Sequence, residues 1–231
     1  PNSKDTEGYT LFAPLRHDKA YLMDMEGNVV NQWTLNEGGV NRCQLTDEGH
    51  LFIAEGSKDG PPLYAGKGGR LREYDWNGEV VWEHHDGNQH HDARRLPNGN
   101  TIYIAWEPLD KESAKRVRGG IPGTEKDGVI YGDVFREITP EKEIVWEWRT
   151  KEMDIENYPI CPLCPRAEFA HANTVSPQPN GDILFLSKMA YGIDDKVPFT
   201  VLQRESGSFS NYVLPMSIWG QGETLRTQYG S

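Results

Sequence analysis

The stretch Leu71-Arg72-Glu73-Tyr74-Asp75-Trp76-Asn77-Gly78-Glu79-Val80-Val81-Trp82 decides the fold. Two arms carrying β-branched and aromatic residues flank a turn of Asp, Asn and Gly, the signal of a tight antiparallel hairpin. The same pattern stands earlier, from Tyr21 through Gly27 to Val29, Val30 and Trp33. It returns over Val134–Trp146 with Pro140-Glu141-Lys142 in place of the Gly turn, and in weaker form over Thr200–Phe209 around Gly207. A second hairpin type lies between the copies. It reads Leu45-Thr46-Asp47-Glu48-Gly49 before Leu51-Phe52-Ile53, Leu96-Pro97-Asn98-Gly99 before Ile102-Tyr103-Ile104, and Pro179-Asn180-Gly181-Asp182 before Ile183-Leu184-Phe185-Leu186. The two types alternate, so the repeating unit is two hairpins, or four strands.

An alternation of this kind predicts an all-β chain, a β-propeller of four-stranded blades with about four blades present. The step from Gly49 to Gly99 matches a blade of about 40–50 residues. The step from Gly99 to Gly181 is much longer and must carry an insertion. A β-sandwich would hold the same hairpins but gives no reason for two types to alternate in order. The last hairpin stops at Phe209 without its Trp, and 210–231 lacks the pattern. A closed propeller joins its last strands to its first blade. The expectation is therefore blades over 1–209, with an insertion at about 107–132 and a Cys-Pro loop at 157–166, then an atypical tail over 210–231. Such a propeller is incomplete or is completed by association into a homo-oligomer; a small four-bladed ring is the lesser alternative. Asp110 to Arg118 is the one segment that reads as a short helix.

Composition limits the partners. The 231 residues carry a net charge of −11, with 24 Lys and Arg against 35 Asp and Glu. An acidic surface repels phosphate backbones, so nucleic acid is excluded as a partner. No apolar run is long enough to span a bilayer. The opening Pro1-Asn2-Ser3-Lys4 suggests a processed or trimmed start, so a missing leader says nothing about compartment.

The three cysteines are Cys43, Cys161 and Cys164, the last two forming Cys161-Pro162-Leu163-Cys164. A C-x-x-C can be a short disulfide, half of a zinc site or a redox pair. The second needs a matching pair of ligands and the third a βαβ setting, and neither is visible in the sequence.

In a propeller, innermost strands and the loops that lead into them converge on a central channel. The residues before each second-type hairpin are Asn41-Arg42, then Gln89-His90-His91-Asp92, then His171-Ala172-Asn173. Any one loop histidine is most simply a solvated or hydrogen-bonded group. Together with His84, His85, Asp86 and Asp92 they could ligate a first-row metal, but His90 and His91 are adjacent in a strand and should point to opposite faces. An anion site is the other reading. Imidazoles, Asn173 and the cation of Lys188 can hold a tetrahedral oxyanion, and a neutral imidazole can act as nucleophile or base. Lys188 alone reads equally well as an exposed residue at a strand end.

These residues resemble the bacterial arylsulfotransferase-like propeller family. The resemblance rests on Gly8-Tyr9-Thr10-Leu11-Phe12-Ala13-Pro14 with Ala20–Val30, on His90-His91-Asp92 running into Leu96-Pro97-Asn98-Gly99, and on His171-x-Asn173 followed by Asn180–Ser187. It covers about residues 8 to 209. It implies a six-bladed propeller, placed in the periplasm or outside the cell. The implied activity moves a sulfuryl group from a phenolic sulfate ester to another phenol through a histidine intermediate, with no nucleotide donor and no cofactor. By resemblance, His91 (or His90) and His171 are the catalytic or oxyanion-binding histidines, Asn173 and Lys188 bind the substrate, and Cys161 and Cys164 form a short disulfide.

Two departures stand out. Lys188 occupies the place of the family's arginine, which keeps the charge but loses the two-pronged grip on sulfate. The family's nucleophilic histidine belongs in a Gln-His-Asp-like motif after His171, and no histidine follows His171. The alternative function is thus a non-catalytic propeller that binds an anionic ligand or a partner protein. A quinone-dependent propeller enzyme shares the hairpin style but would need a cofactor site not found in this sequence.

Overall fold

The computed structural model describes residues 8–187, 196–204, 206 and 209–215. The chain is all-β, built from successive antiparallel sheets with one short helix. The first sheet holds β1 (Tyr9–Phe12), β2 (Lys19–Asp24) and β3 (Val29–Thr34) in that order. The second holds β4 (Gly39–Leu45), β5 (Leu51–Gly56), β6 (Gly69–Tyr74) and β7 (Val80–His85). The third is β8 (Gln89–Arg95), β9 (Thr101–Pro108), β11 (Tyr131–Ile138) and β12 (Ile144–Arg149). The fourth is β14 (Ala172–Pro177), β15 (Ile183–Ser187), β16 (Lys196–Leu202) and β17 (Phe209–Pro215). Each sheet is a meander in which sequence neighbours pair, so both hairpin types of the sequence fall where they were expected. The last strand crosses the expected boundary between residues 209 and 210, and 216–231 lies outside the described residues.

The turns explain the pattern. Gly27, Gly78, Gly49, Gly99 and Gly181 all take positive φ between β-arms, where a residue without a side chain suits the turn best. In the third copy of the first hairpin type, Lys142 takes that left-handed place at φ 74°.

The Val-Trp ending has a different cause. The sheets pack face on face, and each outer-strand Trp reaches across to the next sheet. Trp33 Nε1 donates to the carbonyl of Asp75, in the β6–β7 turn, at 2.7 Å. Trp82 Nε1 donates to the carbonyl of Pro140, in the β11–β12 turn, at 2.8 Å. Trp146 meets the Arg204 guanidinium 4.9 Å from its ring centroid. Between first and second sheets the core is Ala20, Leu22, Trp33, Leu51, Ile53 and Tyr74. Between second and third it is Phe52, Leu71, Ala93, Tyr103, Val134 and Ile138, and between third and fourth Ile102, Ile104, Phe135, Val175, Ile183 and Phe185. Strands β5 and β9 are buried along nearly their whole length. That is why they read as continuous apolar runs rather than alternating ones. Burying each large side chain contributes about 1.5–3 kcal/mol.

The long gap before Gly181 is filled by a decorated excursion. Helix α1 (Lys111–Arg116) lies inside the expected Asp110–Arg118 segment, and Asp110 caps it by accepting from the amides of Glu112 and Ser113. A short strand β10 (Gly119–Ile121) pairs in parallel with β13 (Ile160–Pro165), which contains the Cys-x-x-Cys. The Cys-Pro segment is thus a paired strand with an irregular register, not a bare loop. Leu109, Val117, Ile130, Ile155, Ile160 and Phe169 form a small core beneath it. Among the described residues, no helix is long and apolar enough to cross a membrane.

Candidate active site

The irregular stretches lie in the first strands of the third and fourth sheets. In β8 the register against β9 shifts between His90 and Ala93, and His91 sits in the left-handed region at φ 54°. In β14 a similar shift falls between Ala172 and Thr174, just after Ala170 and His171 at φ 72° and 47°. Both breaks occur in the residues that the sequence singled out. They cancel the strict alternation of a strand. The expectation that His90 and His91 face opposite sides is therefore wrong. Their Nδ1 atoms lie 2.7 Å apart, close enough to share a proton.

The bulges gather three histidines. His91 packs edge-on against His171, with ring centroids 4.8 Å apart. His90 lies behind, fully buried and stacked on Trp106 at 4.2 Å. The carboxylate oxygen Glu168 Oε2 is 3.0 Å from His171 Nδ1 and accepts from Trp106 Nε1 at 3.0 Å. Burial pushes the Glu168 carboxyl up, but the hydrogen bonds from His171 and Trp106 outweigh it and hold the acid below its ordinary range. A carboxylate on Nδ1 leaves Nε2 of His171 with its lone pair, the state of a base or nucleophile.

On the other side His90 Nε2 is 3.3 Å from Asp133 Oδ1, both groups fully buried. Asp133 Oδ2 accepts from the amide of Ala172 at 2.6 Å, and the Asp133 amide donates to Thr150 Oγ1 at 2.9 Å. Burial raises the Asp133 carboxyl to about 8. Burial likewise lowers His90 to about 3. At neutral pH both are held uncharged.

Asp92 is a fastener rather than a ligand. Its Oδ2 accepts from Thr174 Oγ1 at 2.9 Å and from the Val175 amide at 3.1 Å, tying β8 to β14. This bond sets His91 against His171. Gly66 does the rest. Its carbonyl accepts the His91 amide at 2.7 Å, and a Cβ on Gly66 would lie 2.5 Å from the His91 ring.

The structure thus brings His90, His91 and His171 together, with Asn173 beside them donating its side-chain amide to the His171 carbonyl at 3.1 Å. It places His84 and His85 elsewhere: His84 approaches Tyr103 Oη and His85 pairs with Asp59. Lys188 lies outside the described residues. Among the described residues, no group of three or more His, Cys, Asp and Glu is arranged to hold a metal ion. Sequence reasoning missed Glu168, Asp133, Trp106 and Gly66. Two signals were available: a Glu three residues before His171, and an Asp beside the apolar pair Val134-Phe135 in the strand Tyr131–Ile138.

A search of curated proteins finds no match. Among solved structures, a Bacteroides caccae protein of unknown function shares 12% identity and a TM-score of 0.42, over 92% of this chain and 74% of that one. A eukaryotic initiation factor shares 11% identity and a TM-score of 0.34, over 92% of this chain and 55% of the other. The arylsulfotransferase (ASST) family model matches residues 14–191, a span that contains all three clustered histidines, Asn173 and the Cys-x-x-Cys. With that match over most of its length, the chain belongs to the arylsulfotransferase family.

Proposed function

We propose that this chain binds the sulfuryl group of a phenolic sulfate ester against the paired rings of His91 and His171 and passes it to a second phenol. The observation that carries the reading is the pair of rings 4.8 Å apart, one of them bonded through Nδ1 to Glu168. Nε2 of His171 attacks sulfur, the bond from sulfur to the aryl oxygen breaks, and the phenolate leaves. The acceptor phenol then attacks the same sulfur, its proton passing through solvent to the released phenolate, and the nitrogen–sulfur bond breaks. His91, Asn173 and Lys188 hold the sulfuryl oxygens as charge builds on them. The four-stranded sheets, packed face on face in chain order, are the blades of a propeller, with the histidines at their inner ends. Location in the periplasm or outside the cell fits a short Cys161–Cys164 disulfide. The structure itself contains no disulfide between the two, and Leu163, which lies between them in β13, is 85% exposed.

The second reading is a binding protein without transfer activity, in which the same imidazoles hold the anion and no bond breaks. Incubation with 4-nitrophenyl sulfate and phenol separates the two. Release of 4-nitrophenol that disappears in His171→Ala supports transfer. Binding of the ester without release supports the second reading.

A further inference from the structure

We infer that Asp133 and His90 form a proton relay that fixes the tautomer of His91, so that His91 presents Nε2–H to its ligand while the neighbouring His171 presents a bare Nε2. Asp133 and His90 are positioning residues in this scheme, since both are fully buried behind the other two imidazoles. The use of His91 as a donor to sulfuryl oxygen rests on the proposed function; the relay itself rests on geometry alone.

Three contacts make the chain. His90 Nε2 and Asp133 Oδ1 face each other at 3.3 Å, and neither atom has another hydrogen-bond partner. Asp133 Oδ2 is already committed as an acceptor to the Ala172 amide. His90 Nδ1 and His91 Nδ1 meet at 2.7 Å. With both imidazoles uncharged, two proton arrangements satisfy all of them. In the first, Asp133 is a neutral acid whose Oδ1–H donates to His90 Nε2. His90 then carries its proton on Nδ1 and donates to His91 Nδ1, which leaves His91 with Nε2–H. In the second, Asp133 is ionised and accepts from His90 Nε2–H. His90 Nδ1 then accepts from His91 Nδ1–H, and His91 is left with a bare Nε2.

The surroundings choose the first. An isolated carboxylate in a dry interior is costly unless a cation pairs with it. The pocket around Asp133 holds no Arg or Lys within ion-pair distance among the described residues, and Glu168 already brings a negative charge nearby. His90 is sealed by Trp106 on its face, so water cannot stand in for a partner. The shift of both groups toward their uncharged forms agrees. The outcome is a division of labour between two touching imidazoles. Glu168 pulls the His171 proton to Nδ1 and leaves the lone pair on Nε2; Asp133, through His90, pushes the His91 proton to Nε2 and makes that nitrogen a donor. A fixed donor aimed at an oxyanion stabilises it without reorganising.

The test is nitrogen NMR on full-length protein labelled in its histidines, at pH 7, with Asp133 read by the carbon shift of its carboxyl. The wild type should show His91 with Nδ1 in the unprotonated range and Nε2 in the protonated range, and Asp133 as the neutral acid. Asp133→Asn can still donate to His90 and accept from Ala172, so it should leave the His91 signals in place. Asp133→Leu removes the donor and should move His91 toward a mixture of tautomers. His91 protonated on Nδ1 in the wild type overturns the relay, as does a His91 tautomer that changes in Asp133→Asn. The wild-type reading stands even if Asp133→Leu does not fold. Addition of 4-nitrophenyl sulfate tests the other layer. Wild-type signals that show Nε2–H on His91 and do not move with the ester uphold the relay and tell against the sulfuryl reading instead.

Discussion

The outer hairpins and the inner strand starts are built on opposite principles. At the outer edge, Trp33 and Trp82 occupy equivalent places in successive sheets and make the same bond, indole to turn carbonyl of the next sheet. Their strands keep regular pairing over most of their length. At the inner edge, β8 and β14 break register, and His91, Ala170 and His171 adopt backbone angles that L-residues avoid. Repetition supplies the frame there, and departures from it supply the chemistry. Strain of this kind persists only where the surroundings over-determine it, and here Asp92, Gly66 and Thr150 do so.

The largest effect should come from the frame. Trp33→Ala empties a site that is 1% exposed and leaves the Asp75 carbonyl with the Gly78 amide alone; it should cost about 3–5 kcal/mol in urea unfolding. A loss that small surface changes could match, below about 0.5 kcal/mol, would break the comparison. Next comes Gly66→Ala. The added methyl meets the His91 ring, at a backbone φ of +65°. The expected cost is about 1–2 kcal/mol, with loss of 4-nitrophenyl sulfate binding greater than the stability change explains. Unchanged binding, read by calorimetry, would mean that His91 is not held by this contact.

The smallest effect is in the pH dependence of stability. Asp133 has its folded value raised to about 8 from 3.8, so above pH 3.8 the unfolded chain releases a proton that the folded chain keeps. Its contribution to stability therefore falls as pH rises, until about 8. His90 is lowered to about 3 from 6.5, so its contribution falls as pH drops below 6.5. The two oppose each other between about 4 and 6.5 and leave a plateau. From about 6.5 to 8 the Asp133 decline stands alone. Asp133→Asn should flatten that limb relative to wild type in urea titrations; an equal slope in both would show that Asp133 is ionised in the folded protein. Glu168, His171 and Asp86 face the same pair and are present in both proteins, so the difference isolates Asp133.

Much of the frame is legible in the chain because hairpins are local. Asn77-Gly78 and Glu26-Gly27 announce their turns within a few residues, and Asp110 announces its helix. The site is legible only as a set of residue types. His90, His91, His171 and Asn173 stand out by their place before each second-type hairpin. What relates them does not, because it depends on bulges that no periodicity encodes. The alternation rule put His90 and His91 on opposite faces, and the register shift after His90 overrode it. Asp133, Trp106 and Glu168 come to the histidines from β11, β9 and the segment before β14. Their meeting is a property of sheet packing, not of spacing.

The left-handed turn at Ala170-His171 has one more implication, for anyone who tries to improve this protein. Glycine is the residue that such a backbone prefers, so a selection for heat tolerance alone would favour replacing His171 and His91. Robustness and activity would then be sought in opposite directions at the same two codons. A library meant to preserve the site should hold those positions fixed and look for gains along the outer Trp rows instead.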